Sequence, residues 1–164
     1  GDDELTDAVR MLMPAPVFSH PDWLKTAFMV LEKYPETAYK SLGIPTWLYG
    51  HELSTPFATH IAKLFENSLR EEGLLAIAKG GVIFSPGSAG TMQEFFMDLA
   101  QNHYKSYGFA SPMIFLGKKY WTDEFPVYPM VKSLIETGKL NEIDLSIYDE
   151  NEEIINHLAT VNQR

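Results

Sequence analysis

The sequence predicts an α/β protein built on a doubly wound parallel sheet with helices on both faces. Two observations carry this expectation. From Thr46 onward, short apolar runs alternate four times with segments whose apolar residues recur at helical spacing. Within that alternation Gly80–Phe96, GGVIFSPGSAGTMQEFF, reads as strand, tight turn and helix without a break. Right-handed crossovers between parallel strands then give a three-layer α/β/α, Rossmann-like arrangement. The 164 residues, 45% of them hydrophobic, suffice for one sizeable core. A single domain over 1–164 is expected, helical over about 1–43 and α/β over about 44–164.

In chain order, Asp2 and Asp3 open a helix to about Met13, with Leu5, Ala8, Val9 and Leu12 on one face, and Pro14 and Pro16 stop it. Ser19 or His20 followed by Pro21 opens a second helix, whose stripe of Trp23, Leu24, Ala27, Phe28 and Leu31 suits a core or an oligomer contact. Pro35 ends it, and a short helix is expected before Gly43. Thr46–Tyr49 reads as a buried strand, which makes His51 and Glu52, just past its carboxyl end, candidate pocket residues. Ser54, Thr55 and Pro56 signal a helix reaching towards Ala78, burying Phe57, Ile61, Leu64, Phe65 and Ser68 and carrying Arg70 off that face.

After the Gly81–Ser85 strand, a helix from Thr91 is expected to bury Met92, Phe95, Phe96 and Leu99, with Glu94, Asp98 and Gln101 on another side. Pro112–Leu116 suits a strand covered on both faces. Trp121–Pro129 reads as a loop and Val131–Thr137 as a helix closed by Gly138. Leu145–Tyr148 is the last strand, and Asp149 with Glu152 caps a final helix that presents Ile154, Ile155, Leu158 and Val161.

Charge and composition narrow the partners. Thirteen basic against 22 acidic residues give a net charge of −9, which argues against a nucleic-acid polymer or an anionic membrane as the main partner. A small phosphorylated ligand stays compatible, because backbone donors and one or two placed cations can hold it. The chain has no cysteine, which removes disulfides, thiolate nucleophiles and cysteine-based zinc sites and fits a cytoplasmic protein. No apolar run approaches the ~20 residues that span a bilayer. The histidines lack metal-ligand spacing, so no metal is expected; no cofactor is expected either.

The turn between strand and helix is the candidate site. Gly87, Ser88, Ala89, Gly90 and Thr91 would offer helix-terminal N–H groups and the positive end of the helix dipole to an anion, phosphate above all. The turn lacks the Lys-Ser or Lys-Thr pair of a Walker loop and the three-glycine dinucleotide fingerprint. Glu94 has two readings: a carboxylate beside the bound anion, or the last member of a Thr91-x-x-Glu94 capping box. Asp98, one turn on, would raise a carboxyl pKa by repulsion if it shared a cleft with Glu94.

Ser85–Glu94, SPGSAGTMQE, resembles the Pro-Gly-Gly-x-Gly-Thr-x-x-Glu signature of the LONELY GUY (LOG) family, cytokinin-activating phosphoribohydrolases often labelled lysine decarboxylases, and of the related nucleotide 5′-monophosphate nucleosidases. The resemblance covers roughly Thr46 to Leu158. It implies hydrolysis of a nucleoside monophosphate to free base and ribose 5-phosphate, with Glu94 and Arg70 as the catalytic pair, Arg70 matching the family's arginine on the preceding helix. It also implies phosphate binding at Gly87–Thr91 and a homodimer or higher homo-oligomer. The sequence departs from the family twice. Ser88 replaces a glycine, and no first strand with a glycine-rich loop is found, so the chain is expected to be a piece of a longer one lacking its first βα units. The alternatives are a Rossmann-like module that binds a nucleotide or a phosphorylated cofactor without chemistry, and a structural oligomer in which Glu94 only caps its helix.

Overall fold

The computed structural model describes residues 2–17, 19–35, 39–46 and 54–161. Beyond Thr46 the expected strand Thr46–Tyr49 lies outside them, as do His51 and Glu52. The chain divides into two compact units, Gly1–Arg70 and Glu71–Arg164.

In the first unit α1 (Asp2–Leu12) packs on α2 (Trp23–Lys33). The Asp7 carboxylate accepts from Lys33 Nζ at 2.7 Å and from the Tyr34 hydroxyl at 2.8 Å, which ties the end of α2 to α1. Both partners favour ionised Asp7, so its pKa is held below the ordinary value. The buried residues of α2 are Thr26, Ala27 and Val30, whereas Phe28 on α2 and Leu5 and Val9 on α1 are half-exposed or more. The apolar stripes are real in sequence, but only their inner edges are covered.

Residues 54–66 correct the expected long helix. Here β1 (Leu42–Gly43) and β2 (His60–Ile61) form a short parallel pair, and Phe57, Ile61, Leu64 and Phe65 are exposed. Side-chain bonding explains the difference. Thr59 Oγ1 accepts from the Ser41 N–H at 2.7 Å and donates to the Ser41 carbonyl at 2.8 Å, while the His60 N–H reaches the same carbonyl at 3.0 Å. Such bonds offer the backbone partners that a helix would otherwise supply. Helix geometry begins only at α3 (Asn67–Ile77), and the division between units falls within it.

The second unit is an α/β structure on a three-stranded parallel sheet. Its elements are β3 (Val82–Phe84), α4 (Ala89–Tyr104), β4 (Met113–Leu116), a π-helical turn (Tyr120–Glu124), α5 (Val127–Glu136), β5 (Leu145–Tyr148) and α6 (Asn151–Val161). The strand order β3-β4-β5 sets Val82 opposite Met113 and Met113 opposite Leu145. Alternation along the strands decides what is buried. Phe84, Met113 and Phe115 point into a core completed by Phe95 and Leu99 of α4, Trp121 of the π-turn, Val127 and Val131 of α5, and Ile143. On the other face of the sheet Ile114 is buried while Ile83 is half-exposed.

Several boundaries differ from expectation, each for a local reason. Phe96 is half-exposed, because Asp98 and Asn102, not Phe96, share the inward face of α4 with Phe95 and Leu99. The Trp121–Pro129 stretch is ordered: Trp121 is buried, and α5 starts at Val127 with Pro129 in its first turn, where a missing N–H costs no helical bond. Gly138, at φ +72°, closes α5 as expected, with the Lys139 N–H on Leu134 O at 2.9 Å and the Gly138 N–H on Ile135 O at 2.9 Å. The cap of α6 shifts by one residue. Glu153 accepts from the Glu150 N–H at 3.4 Å, while Asp149 accepts from the Lys118 N–H at 2.8 Å.

Asp98 is 2% exposed, with Oδ1 accepting from Asn102 at 3.2 Å and Oδ2 without a hydrogen-bond partner among the described residues. Asn102 in turn accepts from the Ser111 N–H at 2.7 Å, joining α4 to the approach to β4. Burial pushes the Asp98 carboxyl up to about 7, against a smaller opposing effect of the Asn102 bond. The cause is therefore desolvation, not the repulsion between Asp98 and Glu94 considered from sequence. With the folded pKa raised, stability is full below about pH 4 and is lost as pH rises through about 7, by on the order of 4 kcal/mol. Urea unfolding of Asp98→Asn is expected to show a stability advantage over wild type that grows across this interval; an advantage independent of pH would contradict the assignment.

Candidate functional site

The strand β3 delivers the chain to a four-residue turn, Ser85–Ser88, at its carboxyl end, and α4 follows at once. Ser88 is the N-cap residue, with φ −120° and no side-chain capping bond, so its backbone has none of the positive-φ strain considered for this position. The first helical bond runs from the Met92 N–H to Ser88 O at 3.1 Å. The N–H groups of Ala89, Gly90 and Thr91 precede it and have no acceptor within the helix. That places Gly87, Ser88, Ala89, Gly90 and Thr91 together around one helix N-terminus.

Because α4 starts at Ala89, two residues before the expected position, Thr91 is its third residue and Glu94 its sixth. Thr91 is therefore no N-cap, and the Thr91-x-x-Glu94 capping box does not form. Glu94 moves into the second turn, half-buried, on the helix that begins with the turn's N–H groups.

The two glycines of the turn differ physically. A Cβ on Gly87 would collide with the Thr91 hydroxyl and lie 2.9 Å from the Thr91 Cβ, whereas a Cβ on Gly90 would meet nothing within 4 Å. Gly87 is thus required by the fold of the turn. Gly90 leaves its helical backbone open to approach from outside.

Arg70 is placed by its own unit. Its Nε donates to the Ile44 carbonyl at 2.6 Å and its Nη1 to Asn67 Oδ1 at 3.5 Å. Arg70 is the last residue of the first unit and Glu94 belongs to the second. The second unit brings cations to the carboxyl end of β4: Lys118, with Nζ 3.6 Å from Asp149, and Lys119, 3.8 Å from Glu124. Both pairs are exposed and worth little to stability.

Three features escaped the sequence reading. The Tyr120 hydroxyl donates to the Gly87 carbonyl at 2.6 Å. The only signal for it is that Tyr120 follows closely on the end of a strand, where ligand-side residues of parallel sheets gather. His157, towards the end of α6, ties that helix to β5 and the residue before it, with Nε2 3.1 Å from Asp144 and Nδ1 3.0 Å from the Tyr148 hydroxyl. In the first unit a cleft of about 1330 Å³ is lined by residues that include Leu5, Val30, Tyr34 and Phe57. Among the described residues no group of three or more His, Cys, Asp or Glu is arranged to hold a metal, and no helix is long and apolar enough to cross a membrane.

No known protein family matches the chain by sequence, and no curated protein matches it.

The contrast between the glycines is measurable in urea. Gly87→Ala is expected to cost roughly 1–3 kcal/mol through the collision with Thr91, and Gly90→Ala to gain about 0.5–1 kcal/mol through reduced chain entropy in a helical position. Equal effects of the two substitutions would contradict the described turn.

Proposed function

We propose that the protein is a nucleoside 5′-monophosphate N-glycosidase, a phosphoribohydrolase of the LOG type, on a three-layer Rossmann-like domain. The observation that carries this reading is the uncapped start of α4: Ala89, Gly90 and Thr91 present consecutive helix-terminal N–H groups shortly after the carboxyl end of a parallel strand, in the segment that resembles the family signature. The 5′-phosphate takes the N–H groups from Ser88 to Thr91, with the Thr91 and Ser88 hydroxyls as further donors. Gly90 lets the phosphate close on the backbone.

In the reaction the C1′–N bond breaks, the base leaves with a proton, and the hydroxyl of water adds to C1′ to give ribose 5-phosphate. The Glu94 carboxylate serves by stabilising the oxocarbenium-like centre, by orienting water or by taking its proton. Arg70 orients the ribose phosphate or stabilises developing charge. The protein acts as a homodimer or higher homo-oligomer in the cytoplasm, on a small nucleotide and not on a nucleic-acid polymer.

One observation favours a second reading, a nucleotide-binding module without chemistry. Arg70 is already engaged at 2.6 Å with the Ile44 carbonyl, which suits a residue holding its own unit together. Incubation with a panel of purine and pyrimidine nucleoside monophosphates separates the two. Release of ribose 5-phosphate that Glu94→Gln lowers at least about 100-fold, and that Arg70→Ala also lowers, is the expected result. Nucleotide binding with no release would make the module reading correct. Gly90→Ala is expected to weaken binding while stabilising the free protein.

A further inference from the structure

Asp98 is a carboxyl group inside the second unit that the proposed chemistry leaves unused. Its Oδ1 accepts from Asn102 Nδ2 at 3.2 Å, and its Oδ2 has no hydrogen-bond partner among the described residues. Ionised in place, it would be a buried charge held by a single neutral donor. Such a group goes over to its neutral form or draws in water. Either form leaves Oδ2 unbonded, and only the neutral form does so without a charge.

Beyond Asp98 the bond chain holds a segment of different character. Asn102, itself buried, accepts from the N–H of buried Ser111 at 2.7 Å, whereas residues 105–110 before it are mostly exposed. The other ties of that segment lie near the surface. The Tyr107 hydroxyl donates to Glu72 at 3.3 Å, and Lys79 Nζ lies 5.6 Å from the centre of the Phe109 ring. The α4 helix, by contrast, is anchored in the core by Phe95 and Leu99. When water is drawn towards Asp98, the segment therefore gives way before the helix does.

We infer that the Asp98–Asn102–Ser111 chain is a proton-operated latch: the neutral Asp98 carboxyl holds residues 105–111 against α4, and its ionisation releases them to solvent while the core stays folded. The titratable and charged groups on the joined elements are Glu94 and His103 of α4, Glu71 and Glu72 of α3, Lys79, Lys105 and Tyr107. None of them moves the Asp98 equilibrium, which burial raises against the smaller effect of the Asn102 bond. His103 is turned to Asn141, whose N–H its Nδ1 accepts at 3.0 Å. Tyr107 is raised above its ordinary value by desolvation and by Glu72 beside it, so it stays neutral throughout. In the open state Asp98 ionises as an ordinary aspartate. Closure is therefore strongest below about pH 4, weakens as pH rises and levels off above about 7.

Amide hydrogen exchange of the full chain, corrected for the intrinsic rate at each pH and followed at low urea concentrations, tests the latch. Protection of Ser111 is expected to fall by up to about tenfold per pH unit between about pH 4 and 7, with little dependence on urea. Phe115 in β4 should exchange with the strong urea dependence of global unfolding. Asp98→Asn keeps a carbonyl for Asn102 and removes the ionisation, so Ser111 protection becomes independent of pH over this interval. An equal fall in wild type and variant overturns the inference, as does a urea dependence at Ser111 matching that of Phe115. Wild type alone supplies a further check. The side-chain carboxyl carbon resonance of Asp98 must titrate where Ser111 protection levels off, and a midpoint in the ordinary aspartate range overturns the latch.

Discussion

Packing of Phe84, Phe95, Phe115 and Trp121 on one face of the parallel sheet is the constraint on which the second unit depends. Phe84 stacks on Phe115 at 5.3 Å, Phe95 meets both rings at 5.7–5.9 Å, and Trp121 meets Phe115 at 4.9 Å. Each ring sits on a different element: β3, α4, β4 and the π-turn. Full burial of one such side chain is worth roughly 1.5–3 kcal/mol. The four together fix where α4 may start relative to β3 and where the chain may go after β4. The turn at Ser85–Ser88 and the hydroxyl of Tyr120 are held by this cluster, so the candidate site is an extension of the core.

A site made of backbone donors needs little charge around it. A net charge of −9 is therefore compatible with the anionic ligand proposed above. Such a site also separates two tasks within α4. The outer end presents N–H groups, and the inner face carries Asp98, whose burial makes its ionisation costly near neutral pH. Glu94 lies between them, half-buried, one turn before Asp98. The chemistry proposed for Glu94 concerns a half-buried carboxylate, while the buried Asp98 bears on how well the helix stays packed.

The second unit was legible where local signals and packing agree. Leu145–Tyr148 was bounded correctly, and the β3–turn–α4 order and the Gly138 closure were read from turn residues and apolar spacing. Reading failed where a partner distant in sequence decides. Ser41 captures Thr59 and His60, so a helix start signal at Ser54–Pro56 led nowhere. Thr91 and Glu94 have the spacing of a capping box, but the helix takes its first bond from Ser88, a register that spacing alone does not choose. Burial of Asp98 and exposure of Phe96 invert what hydrophobicity suggests, because the packed face of α4 is set by Phe95 and Leu99. Tyr120 and Gly87 are far apart in sequence, so their bond could not be read from any local pattern.

In the proposed function the start of α4 binds phosphate through its backbone. Titration of isotopically labelled protein with ribose 5-phosphate, followed by backbone amide resonances, tests it most directly. Saturable shifts concentrated on Ser88, Ala89, Gly90 and Thr91 are predicted. Shifts centred elsewhere in the chain, or none at millimolar ligand, would contradict it.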